Sequence, residues 1–438
     1  MNKIIHLMTA GLLIIPLSES IAQQQAQASI QEWTLESSIQ QALCISPELK
    51  KSLEEINLRQ VDASLSSMWP DPSIELRVDN KLGQDDNSGG YDLTDITISQ
   101  EIPLSRIKYQ QSVSEANLSA AGLENTHQLL LLQKQISRSF HELQLASAKL
   151  DRAEKQRQLA TQLSQSKSAN TPQKTAGEMV RYLTPLEKIR IDIIREEAYQ
   201  QERNAEGKYN EVLTRFSKLV GVAPENIKSV AKLKPISGIP QLESLLEAQQ
   251  RHAYLSSQQQ VLLAAKHEVD LARNTLVSDP TISLSRSRDT FDSGRDDVYG
   301  VMVNIEIPIH DRKDAKVSKA KYKASQENIE LQRLRRELQI NLKSSYTHLQ
   351  HVYEQAEDYH GKVIKPARKI LDLTQRGFNS GELKMLDLID AHKTYFGAQL
   401  QYLELLYDAR VELADVIYYS GQQLSGVDYQ LSCSGQEQ

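Results

Sequence analysis

Two aspartates near the end of the chain, Asp387 and Asp390, have the residue type and spacing that most directly suggest a chemical role. They are three residues apart in a segment with helical periodicity, so both carboxylates lie on one helix face, about one turn apart. Like charges held this close repel each other, and a bound cation or partial protonation relieves the repulsion. The same side chains also suit an ordinary helix start, where a carboxylate complements the helix dipole. The sequence therefore predicts either a cation-binding position or a stabilised helix terminus.

The histidines offer a weaker case for metal binding. His348 and His351 stand at i and i+3 of a helical segment and could act as a ligand pair, but a solvated or packing role is more frequent for such residues. The ten histidines are otherwise scattered, and the chain has only six methionines. We therefore predict no metal site and no bound cofactor.

No residue pattern in the chain predicts catalysis. The sequence lacks a Gly-rich phosphate loop, a His-Glu-x-x-His zinc motif and a nucleophile elbow. Scattered carboxylates are expected where 25% of residues are charged. We expect no catalytic residues and no enzymatic activity. The net charge of -6 gives no reason to expect a nucleic-acid partner either.

The N-terminus has the features of a secretory signal. Lys3 precedes an apolar run over 4–17, and two small-x-small sites follow at 20–22 and 26–28. The run is shorter than the roughly 20 residues that a transmembrane anchor needs. We expect residues 1–28 to be a signal peptide cleaved at about 22 or 28. No cysteine directly follows, so a lipid anchor would have no attachment point there.

The chain has two cysteines, which leave two alternatives open. Cys44 lies in a helical pattern and Cys433 in a polar tail. A secreted protein can bridge such a pair. A buried free thiol and a separate tail thiol fit the sequence equally well.

The chain contains an internal repeat. Trp69–Leu76 has a counterpart in Val277–Leu284, and Glu101–Leu104 has one in Glu306–Ile309, in the same order and at a nearly constant distance. Agreement along so much of the chain indicates a duplicated unit rather than two unrelated domains. We predict two tandem helix–strand–strand–helix repeats. The predicted segments are the first repeat at 29–235, the second at 236–424 and a polar tail at 425–438.

Each repeat contains two segments in which apolar and polar residues alternate, the pattern of a strand with one apolar face. The segments are about ten residues long, which suits tilted strands of a membrane barrel, and polar loops over 81–91 and 290–297 join them. The third segment is the weakest, because Arg286 and Arg288 continue its apolar face, and an arginine facing lipid is tolerable only near the headgroups. The apolar positions are Ile74, Leu76, Val78, Ile96, Ile98, Ile102, Ile282, Leu284, Tyr299, Val301, Val303, Ile305 and Ile307.

Four such strands cannot close a barrel within one chain. The smallest single-chain barrels have about eight strands, and strands in a membrane must leave no open edge. At least two chains are therefore needed, and three would supply twelve strands. The alternative is a pair of ordinary surface hairpins on a helical protein, which alternation over ten residues does not exclude.

Two heptad seams, over Leu129–Ala153 and Leu338–Val363, predict long helices packed as coiled coils. We predict one helix over Arg106–Gln165, roughly 90 Å long at 1.5 Å per residue. A second should cover Lys313–Gln375, with a kink at Pro366. Helices of this length suit a conduit. A structural coiled coil would share the heptads, but not the repeat, the signal or the strands.

The segment from Arg376 to Ala391 resembles the periplasmic hairpin of the outer-membrane efflux protein (TolC-like) family. A glycine turn is followed by Leu386-Asp387-Leu388-Ile389-Asp390, which opens the last helix, and the first-half copy around Gly177 is more diverged. With the duplicated plan, the resemblance covers nearly the whole mature chain. It implies a mainly α fold with a membrane β-barrel: a homotrimer with a twelve-stranded barrel and a long α-helical coiled-coil tunnel.

The same resemblance implies a function. Members are the outer-membrane channels of tripartite efflux systems in Gram-negative bacteria, a passive exit duct across periplasm and outer membrane. Their partners are a periplasmic adaptor (membrane fusion) protein and an inner-membrane resistance-nodulation-division transporter. The pattern is most similar to the heavy-metal branch, whose substrates are metal cations. The alternative is a structural coiled-coil envelope protein without transport.

The resemblance also assigns roles to residues. It implies that Asp387 and Asp390 form carboxylate rings at the periplasmic constriction, where three copies would place six carboxylates in a narrow opening. The Arg and Tyr that lock the family's gate are not matched, since Leu383 and Phe378 stand there. The implied adaptor-docking tip consists of Gly377, Phe378, Gly381, Glu382, Leu383 and Gly177.

Overall fold

The computed structural model describes residues 32–79, 93–104, 106–165, 185–274, 279–291, 294–306, 312–380 and 382–424. The predicted signal peptide, the loop at 81–91, Gly177, Gly381, Cys433 and the tail lie outside the described residues. The first half contains α1 (Leu35–Ile45), α2 (Pro47–Ser66), β1 (Ser73–Asp79), β2 (Leu93–Glu101), α3 (Arg106–Gln165) and α4 (Pro185–Val220). The second contains α5 (Leu242–Gln249), α6 (Ala253–Asn274), β3 (Thr281–Phe291), β4 (Gly294–Asn304), α7 (Arg312–Tyr359), α8 (Lys365–Asn379) and α9 (Met385–Ser420).

The helices form two rows that share the long helices α3 and α7. Next to the sheet, the order across the row is α2, α3, α6 and α7. Farther from the sheet, α4 packs on α3, which packs on α9, and α9 packs on α7 and α8. Each long helix therefore belongs to both rows. None of the described helices contains a stretch long and apolar enough to cross a membrane.

The first long helix spans Arg106–Gln165, as predicted. The second is interrupted where a kink was predicted. A five-residue π-helical turn, His360–Ile364, separates α7 from α8, and the Lys365 N–H donates to the carbonyl of His360. The interruption immediately precedes Pro366, which has no N–H to donate and whose ring would clash with the preceding turn of an ideal helix. The wider turn accommodates the proline without ending the helix.

Glycines end the last helix of each half, as the sequence predicts. Gly221 has φ +64° and Gly421 has φ +78°, a left-handed conformation that side chains with a Cβ disfavour. After α9, the N–H of Gly421 donates to the carbonyl of Tyr418, and that of Gln422 to Ile417. These bonds satisfy two carbonyls that the helix end leaves free.

The heptad seams are buried in two apolar clusters, one in each half. In the first, Phe140 of α3 packs against Phe216 of α4, with ring centroids 6.0 Å apart. In the second, α7 packs against α9 and α5 around Leu342 and Leu349, both fully buried. Burial of these seams stabilises the long helices, which do not rely on helix propensity alone.

A buried polar junction connects the two halves; it consists of His127, His252, Tyr254 and Tyr418. The His127 ring stacks on Tyr254, with centroids 4.2 Å apart, and its Nε2 lies 3.1 Å from the Tyr418 hydroxyl. His252 Nε2 lies 3.0 Å from the Tyr418 carbonyl, and its Nδ1 accepts from the Tyr254 N–H. Burial lowers the pKa of His252 to about 4 and raises the pKa of Tyr418 to about 12. The contacts therefore fit a neutral imidazole at position 252.

The four strands form one antiparallel sheet in the order β1-β2-β3-β4. The predicted loop over 290–297 is wrong in part. β3 continues to Phe291 and β4 begins at Gly294, with Arg288 paired opposite Asp297. Arg288 Nε and Asp297 Oδ1 form an ion pair 2.8 Å long. This cross-strand contact stabilises the sheet conformation of the polar residues at the end of β3 and the start of β4.

The sheet is fastened to the helices where β2 leads into α3. The Arg106 guanidinium forms ion pairs with Glu101 and with Asp279, and Asp279 also accepts from the Leu104 N–H. Because Asp279 precedes β3, these contacts join both hairpins to one helix. They orient the strands relative to the row of helices.

Cys44, near the end of α1, is disulfide-bonded. This excludes the alternative of a free thiol at that position. The chain has one other cysteine, Cys433.

Candidate functional site

The turn between α8 and α9 is closed by Gly377. Its carbonyl accepts from the N–H groups of Glu382 and Leu383, at 2.9 and 3.0 Å. A Cβ added at Gly377 would lie 2.7 Å from Cδ1 of Leu383. A residue with a Cβ at position 377 would therefore displace the Leu383 side chain from its place against the end of α8. Of the predicted docking residues, Gly377, Phe378, Glu382 and Leu383 are together in this turn.

Asp387 is a capping residue of α9. One of its carboxylate oxygens, Oδ2, accepts from the Lys384 N–H at 2.8 Å, which forms half of a capping box at the helix start. This is the helix-terminus alternative that the sequence leaves open. The interaction uses one oxygen only, and the side chain remains exposed. The cap therefore fixes where the carboxylate lies and leaves it accessible to a cation.

The packing of the first turns of α9 presents both aspartates on one surface. Met385 and Leu388 are buried and pack with Ile191 of α4. Asp387 and Asp390 are exposed, as their spacing from those buried residues requires. The structure thus brings the two predicted carboxylates together, one helical turn apart, at the end of the helical rows farthest from the sheet.

Further charged groups lie along α9 beyond this turn. Lys149 of α3 forms an ion pair with Glu404, with Nζ 2.7 Å from Oε1. The pKa of Asp408 is raised, first by burial and then by the neighbouring Glu404. Burial lowers the pKa of His392, whose two ring nitrogens have no hydrogen-bond partner within the described part of the chain.

The histidine pair considered in the sequence does not form a ligand set. His348 Nδ1 lies 3.0 Å from Oε1 of Glu412, and the His348 side chain is exposed. His351 is also exposed. Among the described residues, no three His, Cys, Asp or Glu side chains come together in a group that could hold a metal ion.

The sheet presents one face that is apolar and exposed. Cross-strand pairing puts Ile74, Ile98, Leu284 and Val301 in one row of this face. Ile74 is 73% exposed and Val301 is 74% exposed. A contiguous apolar face of this kind marks a surface that is covered by a partner or by lipid.

Both sides of the helical rows also expose apolar residues, which the sequence analysis did not single out. On α2, at one side, Leu58, Val61 and Leu65 are half exposed or more and follow a helical spacing of three and four. At the other side, α7 and α8 expose a second set. Its members are Tyr322, Ile329, Ile340, Ile370 and Leu373. A search for a second apolar stripe on each helix could have found them.

The sequence profile of the family described as Outer membrane efflux protein matches residues 245–422. The cobalt-zinc-cadmium resistance protein CzcC of Cupriavidus metallidurans is 30% identical over 138 residues, which is 32% of this chain and 32% of that protein. The matched region thus spans about a third of the length of this curated relative.

Solved structures share the fold over nearly the whole described chain. The outer membrane protein VceC of Vibrio cholerae matches with a TM-score of 0.68 and 15% identity, covering 89% of this chain and 97% of VceC. The outer membrane channel MtrE of Neisseria gonorrhoeae matches with a TM-score of 0.69 and 14% identity, covering 89% of both. The second half of the chain therefore matches the outer membrane efflux protein family, and the chain as a whole shares the fold of these solved outer-membrane proteins.

Proposed function

We propose that this chain is the outer-membrane channel component of a tripartite efflux system, a passive exit duct built from three copies. The observation that carries the proposal is the four-stranded sheet. One of its faces is apolar and exposed, and β1 and β4 are both edge strands. A sheet in lipid must leave no open edge, because unpaired backbone groups are costly there.

Three sheets of this kind supply the twelve strands of a closed barrel. In such a closure, β4 of one copy would pair with β1 of the next in antiparallel orientation. The apolar face would then contact lipid, and the opposite face, with Glu75, Thr97, Ser285 and Asn304, would line a watery interior. The alternation of the strands supports this division into two environments.

The exposed apolar stripes of the helices support the same assembly. Leu58, Val61 and Leu65 of α2 lie at one side of the row beside the sheet, and Ile329 of α7 lies at the other. Contact between these stripes in adjacent copies would close the rows into a tube below the barrel. Each such contact removes apolar surface from water, at about 25 cal/mol for each Å² buried.

The turn between α8 and α9 would form the periplasmic mouth of this tube. Three copies of Asp387 and Asp390 would form two carboxylate rings, which favour cations. The Gly377 turn would offer the adaptor a rigid docking surface, and an inner-membrane transporter of the resistance-nodulation-division class would supply the energy. Heavy-metal cations are the proposed substrates, because CzcC is a cobalt-zinc-cadmium resistance protein.

The proposal also assigns roles to parts outside the described residues. Residues 1–28 would direct export from the cytoplasm, and the mature chain would consist of the two repeats, 29–235 and 236–424, with the tail at 425–438. The outer membrane of a Gram-negative bacterium is the location this implies.

Conductance of the purified protein in planar lipid bilayers tests the proposal. We expect a poorly conducting, cation-selective channel that multivalent cations block from the periplasmic side. The double variant Asp387→Ala/Asp390→Ala should lose the block and part of the selectivity with the same trimer yield, and each single variant should act partially. If neither protein conducts, the chain is a structural coiled-coil protein. If the double variant conducts and is blocked as strongly as the wild type, the constriction lies elsewhere.

A further inference from the structure

Two arginines lie on the apolar face of the sheet rather than on its polar face. Pairing puts Arg286 opposite Ile96 and Tyr299, and Arg288 opposite Thr94 and Asp297. Directly paired residues of an antiparallel sheet share a face, and faces alternate along each strand. Arg286 and Arg288 therefore share a face with Ile282 and Leu284, and both guanidinium groups are exposed.

The arginines lie near the hairpin end of the sheet, away from the helices. From Ile305, the residue directly after β4, to Asp297 within it, the extended chain rises roughly 27 Å at about 3.4 Å per residue. At a tilt of about 40°, this is about 20 Å along a barrel axis, close to the height of roughly 25 Å for a lipid-facing apolar band. Tyr299 lies in the same row as Arg286, one row nearer the helices than Arg288, and is 74% exposed. An aromatic residue in this place is typical of the boundary between hydrocarbon and headgroups.

One carboxylate holds the two guanidinium groups together. Arg288 donates to Asp297 through Nε at 2.8 Å and Nη2 at 3.2 Å, and Arg286 donates through Nη2 at 3.1 Å. The three side chains keep one excess positive charge. A guanidinium has five N–H donors, so most of the donors are not used by Asp297. The remaining donors can bind a further anion with several acceptor oxygens.

We propose that Arg286 and Arg288 bind a phosphate group on the headgroup of an outer-leaflet lipid. This inference rests on the proposed function, in which the apolar face contacts lipid and the hairpin end faces outward. At headgroup level on that face, the neighbouring molecule is a membrane lipid. The outer leaflet of a Gram-negative outer membrane consists of a phosphorylated glycolipid. Arginine matches phosphate well, because its planar fork donates two parallel hydrogen bonds.

The chain contains a matched control at a similar height. Arg77 of β1 pairs opposite Asp95, which is adjacent to Ile96, the residue opposite Arg286. Because adjacent residues of a strand lie on opposite faces, Arg77 belongs to the polar face. Its guanidinium forms an ion pair with Asp79, with Nη2 2.8 Å from Oδ2. Replacing Arg77 removes one positive charge from the sheet without changing the surface that contacts lipid.

Lipid binding to the detergent-purified protein, measured by native mass spectrometry, tests the inference. The probes are lipid A with both phosphates and the same lipid A without phosphates. We expect the wild type and Arg77→Gln to bind the phosphorylated form at least tenfold more tightly than the other. Arg286→Gln/Arg288→Gln should bind both forms alike. Asp297→Asn, which leaves both guanidiniums free, should bind the phosphorylated form more tightly.

Three results would overturn the inference: equal binding of the two lipids by the wild type, an undiminished preference in the double variant, or weaker binding by Asp297→Asn. Flotation with phospholipid vesicles separates this failure from failure of the proposed function. A wild type that floats and conducts without a phosphate preference contradicts only the lipid site. A wild type that does not enter vesicles contradicts the proposed function itself.

Discussion

The polar junction and the sheet show how differently one chain can organise two of its regions. In the junction, His252 is fully buried and contacts both Tyr254 and Tyr418. His127 of the first half lies 3.1 Å from the hydroxyl of the same Tyr418, so residues from both halves share one set of contacts. In the sheet, apolar residues such as Tyr299 and Val301 remain about three-quarters exposed. The helical part around the junction completes its own core, whereas the sheet has none.

This difference shows which parts of the chain need other molecules to cover their apolar surface. Folding of the junction removes apolar and polar groups from water within one chain. The sheet and the outer stripes of α2 and α7 leave apolar surface that only lipid or further copies could cover. Substitutions in the two regions should therefore affect different properties, the folding of the chain in one case and its assembly in the other.

The largest expected effect is in the apolar cluster below the junction. Phe140 is 1% exposed and packs against Phe216. Phe140→Ala should lower the free energy of unfolding by about 3–5 kcal/mol, because a large buried side chain leaves a cavity. Val301→Ala, on the exposed sheet face, should change it by less than about 1 kcal/mol. Chemical unfolding in detergent measures both, and equal losses would remove the distinction between the regions.

A second prediction uses acid to weaken the junction. The pKa of His252 is lowered to about 4, chiefly by burial, whereas an unfolded histidine titrates near 6.5. Between these values the unfolded chain binds more protons, so stability is complete above about pH 6.5 and falls as the pH decreases towards 4. His252→Gln should lose roughly 3 kcal/mol less stability than the wild type between pH 7 and pH 4.

Unfolding at a series of pH values measures this difference. His141 provides an internal comparison, because burial also lowers its pKa to about 4, and its contribution should persist in the His252 variant. If the wild type and His252→Gln lose the same stability in acid, the junction does not hold a neutral imidazole.

The third prediction concerns the two faces of the sheet. Val303→Arg should destabilise the assembled state by about 1 kcal/mol per site, because an arginine on the lipid face costs less near the edge of the apolar band than at its middle. Asn304→Arg, on the polar face, should be tolerated. The yield of assembled protein in the outer membrane measures both. Equal yields from the two variants would mean that the sheet does not lie in lipid.

Much of this organisation could be predicted from local patterns. The bounds of α3, the interruption before Pro366 and the glycine ends at Gly221 and Gly421 follow from residues that act within a few positions of themselves. The loop over 290–297 was predicted wrongly in part, because polar residues resemble a loop. The ion pair between Arg288 and Asp297 depends on strand register, which composition does not reveal.

The contacts of the junction were not predictable in the same way. His127 and Tyr418 are far apart along the chain, and their contact exists only after both halves have packed. The cap at Asp387 was foreseen as an alternative role, because its position in the first helical turn is local information. The cation-binding role of Asp387 and Asp390 remains a prediction, since it depends on further copies of the chain.

The most direct test of the account is the mass of the particle extracted gently from outer membranes and measured by native mass spectrometry. The open sheet edges and the exposed apolar stripes predict a particle of three mature chains that fractionates with the outer membrane. A stable soluble monomer would contradict the account, because the exposed face of the sheet would then need neither lipid nor neighbouring copies.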